Sequence, residues 1–204
     1  MRLFRYSETE LNYLKRRDRK LGTAIDTIGM IERPVTPDLF TALIASVASQ
    51  QISAKAAETV WSRMEERLGA ITPSSIAGNT PEEIRQCGMS LRKAQYIKGI
   101  GDAVVKGSVD LASLHDLPDE EIITRLTSLK GVGTWTAEML LIFSIERPDV
   151  LSWGDLAIRR GMMQLYGKST IDRATFERYR KRYSPYGSVA SLYLWEISHR
   201  IEWE

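Results

Sequence analysis

The feature that most constrains the fold of this chain is the recurrence of helix-start signals along its length. Ser7 with Glu10, and Thr80-Pro81 with Glu83, each place a capping hydroxyl three residues before a carboxylate, a pattern that begins α-helices. Nowhere does the chain show the sustained two-residue alternation of apolar and polar side chains that is typical of strands. The sequence therefore predicts an all-α fold.

Further helix boundaries follow from the same kinds of signal. Thr36-Pro37 predicts an N-cap followed by a proline in the first turn of a helix. We expect Ser53 to cap the next helix, and Leu156 to Tyr166 to form a later helix that ends at Gly167. The side chains expected to face inward from the first two of these helices are Phe40, Leu43, Ile44 and Val47, then Val60, Trp61 and Met64.

Composition excludes several classes of protein. The chain has 204 residues, of which 43% are hydrophobic and 26% charged, an ordinary globular balance. One cysteine cannot form a disulfide within the chain. With one cysteine and two histidines, a side-chain zinc site and a four-cysteine iron–sulfur cluster are also excluded in practice. No apolar run reaches the roughly eighteen residues of a membrane span, and residues 1–6 lack the apolar core of a signal peptide. We therefore expect an intracellular protein that is not bound to a membrane.

The net charge of +2 says little about partners, but basic residues are concentrated in one segment. Between positions 159 and 182 the only acidic residues are Asp172 and Glu177, and the basic ones are Arg159, Arg160, Lys168, Arg173, Arg178, Arg180, Lys181 and Arg182. Such a cluster suits contact with phosphates, and it suits the solvated face of a helix equally well.

The segment from Leu126 to Leu140 predicts two helices joined by a tight turn at Gly131-Val132-Gly133. Glycine permits backbone angles that other residues avoid. Without side chains, the peptide N–H groups of the turn can meet a phosphate at the N-terminus of the helix that begins at Thr134. Val132 is expected to anchor the turn in the core. The pattern therefore indicates a phosphate-binding hairpin.

Several segments, in order along the chain, resemble a known family. Leu129–Ala137 resembles the helix-hairpin-helix of the base-excision DNA glycosylases, and Gly154–Gly161 resembles the segment that carries the essential aspartate of that superfamily. The segments that resemble its 3-methyladenine DNA glycosylase II branch are Gln50–Ser53, Gly88–Tyr96 and Pro185–Trp195. The resemblance implies a single glycosylase domain over residues 1–204, in a compact form without the N-terminal β-rich domain of longer relatives.

The resemblance also implies two helical lobes that flank a DNA-binding cleft. We expect one lobe to span about residues 37–147 and to contain the hairpin at 126–140. The other lobe is expected to combine residues 1–36 with residues 148–204.

By the same resemblance, Asp155 is the catalytic carboxylate. The sequence alone makes Asp155 the N-cap of the helix that begins at Leu156. Both roles can hold together, because the cap fixes the rotamer of the side chain while one oxygen faces the cleft. Breaking an N-glycosidic bond develops positive charge on the sugar, which an ionised carboxylate stabilises. The carboxylate can also orient or deprotonate the attacking water.

Further site residues are implied by the resemblance. The residues expected to line the base pocket are Trp135, Tyr186, Trp153 and Met139, whose aromatic members would stack on a flipped base. The residues expected to contact DNA are Lys130, Gly131, Val132, Gly133, Thr134, Gln51 and Arg159, with Gln51 filling the gap that the flipped base leaves. Bifunctional relatives carry a Schiff-base lysine where this chain has Trp135, so the resemblance implies a monofunctional hydrolase.

The expected partner is double-stranded DNA containing a damaged base, bound by a monomer in the cytoplasm, at the nucleoid, or in the nucleus. No cofactor is expected to be required and no iron–sulfur cluster is expected. The resemblance implies a sodium or potassium ion held by the backbone carbonyls of Thr127, Leu129 and Val132.

The expected reaction is excision of N3- or N7-methylated or related damaged purines, the first step of base excision repair. Two alternatives stay open. One is a non-catalytic helix-hairpin-helix protein that binds DNA without removing a base. The other is a glycosylase with a different lesion preference, because Ser152-Trp153-Gly154 departs from the Pro-Ala-Asp that usually precedes the aspartate in this family.

Overall fold

The computed structural model describes residues 2–200. Over this range the chain is helical, and its extended pairing is limited to an isolated antiparallel bridge between Leu3 and Pro34. The all-α prediction is confirmed. No helix between residues 2 and 200 combines the length and the apolarity needed to cross a membrane.

Twelve α-helices follow one another over the described range. The first two are α1 (Glu8–Arg17) and α2 (Arg19–Ile28). The next five are α3 (Leu39–Ser49), α4 (Ala54–Leu68), α5 (Pro73–Gly78), α6 (Pro81–Arg85) and α7 (Leu91–Val105). A 3-10 helix (Ala112–Asp116) precedes α8 (Asp119–Thr127) and α9 (Thr134–Phe143). The last three are α10 (Leu156–Tyr166), α11 (Arg173–Tyr183) and α12 (Gly187–His199).

The chain divides into two compact units. The terminal unit combines the residues up to Val35 with those from Leu141 onward, and the central unit runs from Thr36 to Leu140. The sequence-based bounds put the second division later, near residue 147. The end of α9 belongs to the terminal unit because the ring of Phe143 stacks on Trp195 of α12, with ring centroids 5.5 Å apart.

Most predicted helix starts are present, and one is wrong. Ser7 and Thr80 each form a capping box, and the side chain of Ser53 accepts a hydrogen bond from the Ala56 N–H. The prediction of Thr36 as an N-cap is wrong, because α3 begins at Leu39. Its N-cap is Asp38, whose carboxylate accepts from the Thr41 N–H at 3.2 Å.

The inward faces of α3 and α4 are largely as predicted. Phe40, Leu43, Ile44 and Val47 of α3 are buried, and so are Val60 and Met64 of α4. Trp61 is an exception because its side chain is only half-buried. An indole adjacent to Val60 lies at the edge of the buried face, where part of the ring stays in solvent.

A buried polar cluster ties the N-terminal helices of the terminal unit to α10 and α11. Asp18 ends α1 and caps α2, where its Oδ1 accepts from the Leu21 N–H at 3.1 Å. Its Oδ2 accepts from the Tyr166 hydroxyl at 2.6 Å and from Arg182 at 3.1 Å. Burial raises the pKa of Tyr166 above its usual value, so this phenol stays a donor to the carboxylate.

The closest helix contact in the terminal unit is between α10 and α12. A Cβ added at Gly161 would lie 2.1 Å from the carbonyl oxygen of Leu194. The α10 and α12 backbones therefore approach one another as only glycine allows. This contact places Trp195, the residue after Leu194, alongside the start of α10.

Gly161→Ala is expected to destabilise the protein by about 1–3 kcal/mol, because overpacking forces one of the two backbones to move. Gly99→Ala in α7 is the control. Apart from the nearby backbone of α7 itself, no heavy atom of residues 2–200 lies within 4 Å of its Cβ position. That substitution should raise stability by up to about 1 kcal/mol through helix propensity. Urea unfolding measures both variants, and a Gly161→Ala protein as stable as the wild type would contradict the close approach.

Candidate functional site

The predicted hairpin is present in the central unit between α8 and α9. Gly131 has a φ of +90°, and a Cβ there would lie 2.4 Å from a ring carbon of Tyr96. The side chain of Val132 is buried, as predicted, and its N–H donates to the carbonyl of Leu129 at 3.1 Å. Gly131 is therefore required both by its backbone angle and by the tyrosine packed against it.

The second glycine of the hairpin has a different surrounding. Gly133 and Thr134 are exposed, and beyond the two chain neighbours of Gly133 no heavy atom of residues 2–200 lies within 4 Å of a Cβ placed there. The carbonyl of Gly133 accepts from the Ala137 N–H at 3.0 Å, so the helix begins at this point. The first turn of α9 therefore lies at an open surface. At this end of the helix the backbone N–H groups and the helix dipole favour an anion.

Two predicted base-pocket residues lie on α9. Trp135 is 47% exposed, an unusual setting for an indole. Met139, one turn further along the helix, is half-buried. A large exposed aromatic beside the open N-terminus of a helix provides a surface on which a base can stack.

A second turn, at residues 50–53, contacts the hairpin in the central unit. Gln51 is exposed and has a φ of +58°, a conformation that a non-glycine residue seldom adopts. Next to it, the side-chain amide of Gln50 donates to the carbonyl of Gly131 at 2.9 Å. Gln51, which is predicted to fill the gap left by the flipped base, therefore lies on a turn that is hydrogen-bonded directly to the hairpin.

A lysine of α7 supports the same turn. The ammonium of Lys93 donates to the carbonyl of Ala48 at 3.0 Å and also to that of Gln50. Burial lowers the pKa of Lys93. A cavity of about 470 Å³ lies here, lined by Gln50, Gln51, Ser90, Arg92, Lys93, Tyr96 and the hairpin residues 131–133.

Asp155, in the terminal unit, is the N-cap of α10, as its sequence position predicts. Its Oδ1 accepts from the backbone N–H groups of Ala157 at 2.8 Å and Ile158 at 2.9 Å. Its Oδ2 accepts from the indole N–H of Trp195 at 3.1 Å. The residue is 6% exposed. The carboxylate is therefore held in one rotamer by donors to both of its oxygens.

The loop that leads to Asp155 is attached to the first turn of α12. Asp149 accepts from the Gly187 N–H at 3.0 Å and from the Ser184 hydroxyl at 2.6 Å. The N–H of Val150 donates to the Ser188 hydroxyl at 3.0 Å. These hydrogen bonds fix the backbone that precedes Asp155 in the chain.

Three further predicted site residues of the terminal unit make contacts within that unit. The ring of Trp153 lies edge-on to Phe176, and the guanidinium of Arg159 lies 4.7 Å from the centroid of the same ring. Arg173 approaches this ring to 5.3 Å. Tyr186, predicted for the base pocket, packs edge-on against Tyr13 with centroids 5.1 Å apart.

The donor atoms proposed for a monovalent cation fit such an ion chemically. Thr127 is the last residue of α8, and Leu129 and Val132 follow in the turn after it. Carbonyl oxygens at the C-terminal end of a helix carry the negative end of the helix dipole. Neutral oxygen donors of this kind suit a hard alkali ion.

The structure groups the predicted residues by unit. In the central unit it brings together Gln51 and the hairpin 130–134, and in the terminal unit Trp153 with Arg159. No role was predicted for Gln50, Lys93, Tyr96 or Trp195, although each lies inside a segment that resembles the family. Their roles come from contacts between residues distant in the chain, which local patterns do not reveal.

Comparison with known proteins identifies a family. Residues 44–185 match the model described as the HhH-GPD superfamily base excision DNA repair protein. The chain is 38% identical over 170 residues to DNA-3-methyladenine glycosylase 1 of Schizosaccharomyces pombe. That match covers 76% of this chain and 71% of the relative.

Two solved structures have the same fold. One is a DNA-3-methyladenine glycosidase from Bacillus halodurans, with a TM-score of 0.86 and 36% identity over 98% of this chain and 93% of the other. The second is a Schizosaccharomyces pombe 3-methyladenine DNA glycosylase in complex with abasic DNA. Its TM-score is 0.82, with 32% identity over 96% of this chain and 99% of the other.

The two hairpin glycines are expected to respond differently to alanine. Gly131→Ala should destabilise the protein by roughly 1–3 kcal/mol, because the methyl group meets Tyr96 and the positive φ is strained. Gly133→Ala should cost less, up to about 1 kcal/mol, because its Cβ position is open and alanine is only a poorer N-cap than glycine. Thermal or urea unfolding of the two variants checks this, and equal losses of stability would contradict the assigned turn geometry.

Proposed function

The chain belongs to the HhH-GPD superfamily of base excision DNA repair proteins, and from this membership we propose that it is a DNA glycosylase that removes alkylated purines from duplex DNA. The observation that carries the proposal is the buried Asp155 carboxylate, fixed by the N-terminus of α10 and by Trp195. It is supported by the exposed glycine hairpin in the same chain.

In this proposal the hairpin binds the DNA backbone without reading sequence. The N–H group of Gly133 and those of the first turn of α9 would point at a phosphate, and Lys130 adds a positive charge nearby. Only a residue without a side chain lets the phosphate approach Gly133 closely. The monovalent cation proposed at Thr127, Leu129 and Val132 would supply further positive charge beside that phosphate.

Asp155 stabilises the positive charge that develops on the sugar as the N-glycosidic bond breaks. A carboxylate that is already oriented needs little reorganisation during the reaction, and its burial keeps water from screening its charge. The same carboxylate orients the water that attacks the anomeric carbon. An N3- or N7-methylated purine is cationic and leaves readily, so the reaction does not depend on a strong general acid.

The exposed indole of Trp135 suits the proposed substrate. Trp135, in the central unit, would stack on the flipped base, because aromatic faces attract a cationic purine more strongly than a neutral one. In the terminal unit, Trp153 is held by Arg159 and Phe176, and we propose that Trp153 and Tyr186 contact the substrate there. Gln51 would enter the duplex where the base has left, which offsets part of the cost of unstacking.

The proposed partner is duplex DNA that contains a damaged base, bound by one copy of the chain. Genomic DNA sets the location, which is the nucleoid in a bacterial cell or the nucleus in a eukaryotic one. Basic side chains on α11, including Arg178 and Lys181, are exposed and would add salt-dependent affinity for the duplex.

Asp155→Asn is expected to lower single-turnover excision by about a hundredfold or more, with duplex affinity little changed. The measurement uses duplexes that each carry one damaged purine, followed by alkaline cleavage of abasic sites. An amide at residue 155 would turn a donor toward one of the N–H groups that now bind the carboxylate, at a cost of about 1–3 kcal/mol of stability. A control variant is therefore needed to separate the loss of the carboxylate from this loss of stability.

Trp195→Phe and the double variant Asp155→Asn/Trp195→Phe provide that control. Phenylalanine removes the indole donor that an amide would oppose, while it keeps a ring against Phe143. Excision should be lost in both variants that carry asparagine and reduced far less by Trp195→Phe alone. Near-wild-type excision by the double variant would show that Asp155 is not part of the mechanism. If the wild type binds the duplex but excises no base, the protein is a non-catalytic DNA-binding protein.

No covalent protein–DNA adduct is expected to form with borohydride. The indole of Trp135 cannot form an imine with the sugar, so the reaction ends at an intact abasic site. Gel analysis of the wild-type protein with a cleavable duplex, with and without borohydride, checks this. A trapped adduct, or strand cleavage before alkali is added, would show lyase chemistry instead.

A further inference from the structure

Lys93 makes contacts that differ from those of an ordinary surface lysine. Its ammonium donates to the carbonyls of Ala48 and Gln50, at the C-terminal end of α3. Carbonyls at this end of a helix have no partner within the helix and carry the negative end of its dipole. The positive charge of Lys93 is therefore placed where it fixes the first residue of the exposed turn.

The other side of the turn is bonded to the hairpin. The Gln50 amide donates to the Gly131 carbonyl at 2.9 Å, and Gly131 packs against the ring of Tyr96. Tyr96 and Lys93 are three positions apart on α7 and so lie on one side of that helix. One helix thus supports both the turn and the hairpin.

We propose that Lys93 is a positioning residue that holds the turn 50–53 at a fixed place relative to the hairpin, so that Gln51 is presented to the duplex. This inference rests on the proposed function, because it assigns Lys93 to the base-flipping step. Lys93 touches neither the flipped base nor the sugar in this account; it acts through the backbone of Gln50.

The conformation of Gln51 explains why the turn needs such support. A residue with φ of +58° is in a sparsely populated region that persists only when its surroundings hold it there. Gln51 itself is exposed, so the restraint comes from its neighbour Gln50, which both Lys93 and Gly131 bind. Without the Lys93 bonds the turn samples other conformations, and insertion of Gln51 must then order it first.

The test uses Lys93→Met, which keeps the length of the side chain and removes its donors. The matched control is Lys98→Met on the same helix, because the Lys98 ammonium also donates to a backbone carbonyl, that of Ala77 at 2.9 Å, and forms an ion pair with Asp102. Both variants lose one positive charge and the hydrogen bonding of a lysine ammonium to the C-terminal end of a helix. Only Lys93→Met frees the turn.

Three readouts separate positioning from a general loss of stability. Single-turnover excision by Lys93→Met should fall by about tenfold or more, while affinity for undamaged duplex stays near that of the wild type. Fluorescence of 2-aminopurine placed opposite a tetrahydrofuran abasic site reports insertion of Gln51 into the duplex. With Lys93→Met this fluorescence should be lower than with the wild type. In the free protein, hydrogen exchange of the amides at 50–57 should become faster. Lys98→Met should change none of the three.

Gln51→Ala completes a double-mutant cycle. If Lys93 acts through Gln51, the Lys93→Met/Gln51→Ala protein should excise little more slowly than the slower single variant, because both substitutions remove the same step. Losses that multiply would overturn the proposal, as would an unchanged exchange rate at 50–57. A Lys93→Met loss of duplex affinity equal to its loss of rate would make Lys93 a phosphate contact instead.

Failure of the proposed function gives a different result. A wild-type protein that removes no damaged purine overturns the glycosylase assignment, whatever Lys93 does. The exchange rates of the free Lys93→Met and Lys98→Met proteins still decide in that case whether Lys93 holds the turn.

Discussion

Hydrogen bonds from two helices hold the Asp155 carboxylate, and the proposed chemistry depends on them. The first turn of α10 supplies backbone donors to Oδ1, and Trp195 of α12 supplies an indole donor to Oδ2. Trp195 reaches this position because Gly161 lets the backbone of α12 lie against α10. A larger residue at 161 would move the indole as well as the helix, so packing and the orientation of the carboxylate are coupled.

The central unit shows the same dependence of an exposed feature on buried contacts. The hairpin presents Gly133 and the start of α9 to solvent, while Gly131 and Val132 anchor it against Tyr96 and the core. The turn at Gln51 is exposed too, and its neighbour Gln50 is bonded to the hairpin and to Lys93. Rigid presentation of groups that must meet a duplex is what an electrostatic and shape-based mode of DNA binding requires.

Local sequence patterns predicted the elements that depend on local chemistry. Asp155 as an N-cap, the capping boxes at Ser7 and Thr80, and the turn at Gly131 all follow from hydrogen bonds or backbone angles within a few residues. The Thr36 prediction was wrong because Asp38 offers a better acceptor to the first turn of α3. The short helix α5 begins with a capping box at Thr72 in which Ser75 takes the place of the usual Glu or Gln, so its start was not recognised.

Contacts between distant residues could not be predicted in this way. No period or spacing connects Trp195 to Asp155, Gln50 to Gly131, or Asp18 to Tyr166, because each pair depends on how whole helices pack. Family resemblance marked the segments that contain several of these residues without saying what they touch. The structure supplies the missing link between the residue and its role.

Chromatography and mass spectrometry can identify the small molecule that is released when the wild-type protein is incubated with methylated duplex DNA, and its identity bears most directly on the role of Asp155. Free methylated purine bases are expected, with the deoxyribose left in an unbroken strand. Release of nucleotides, or tight duplex binding with no release of any base, would contradict this expectation.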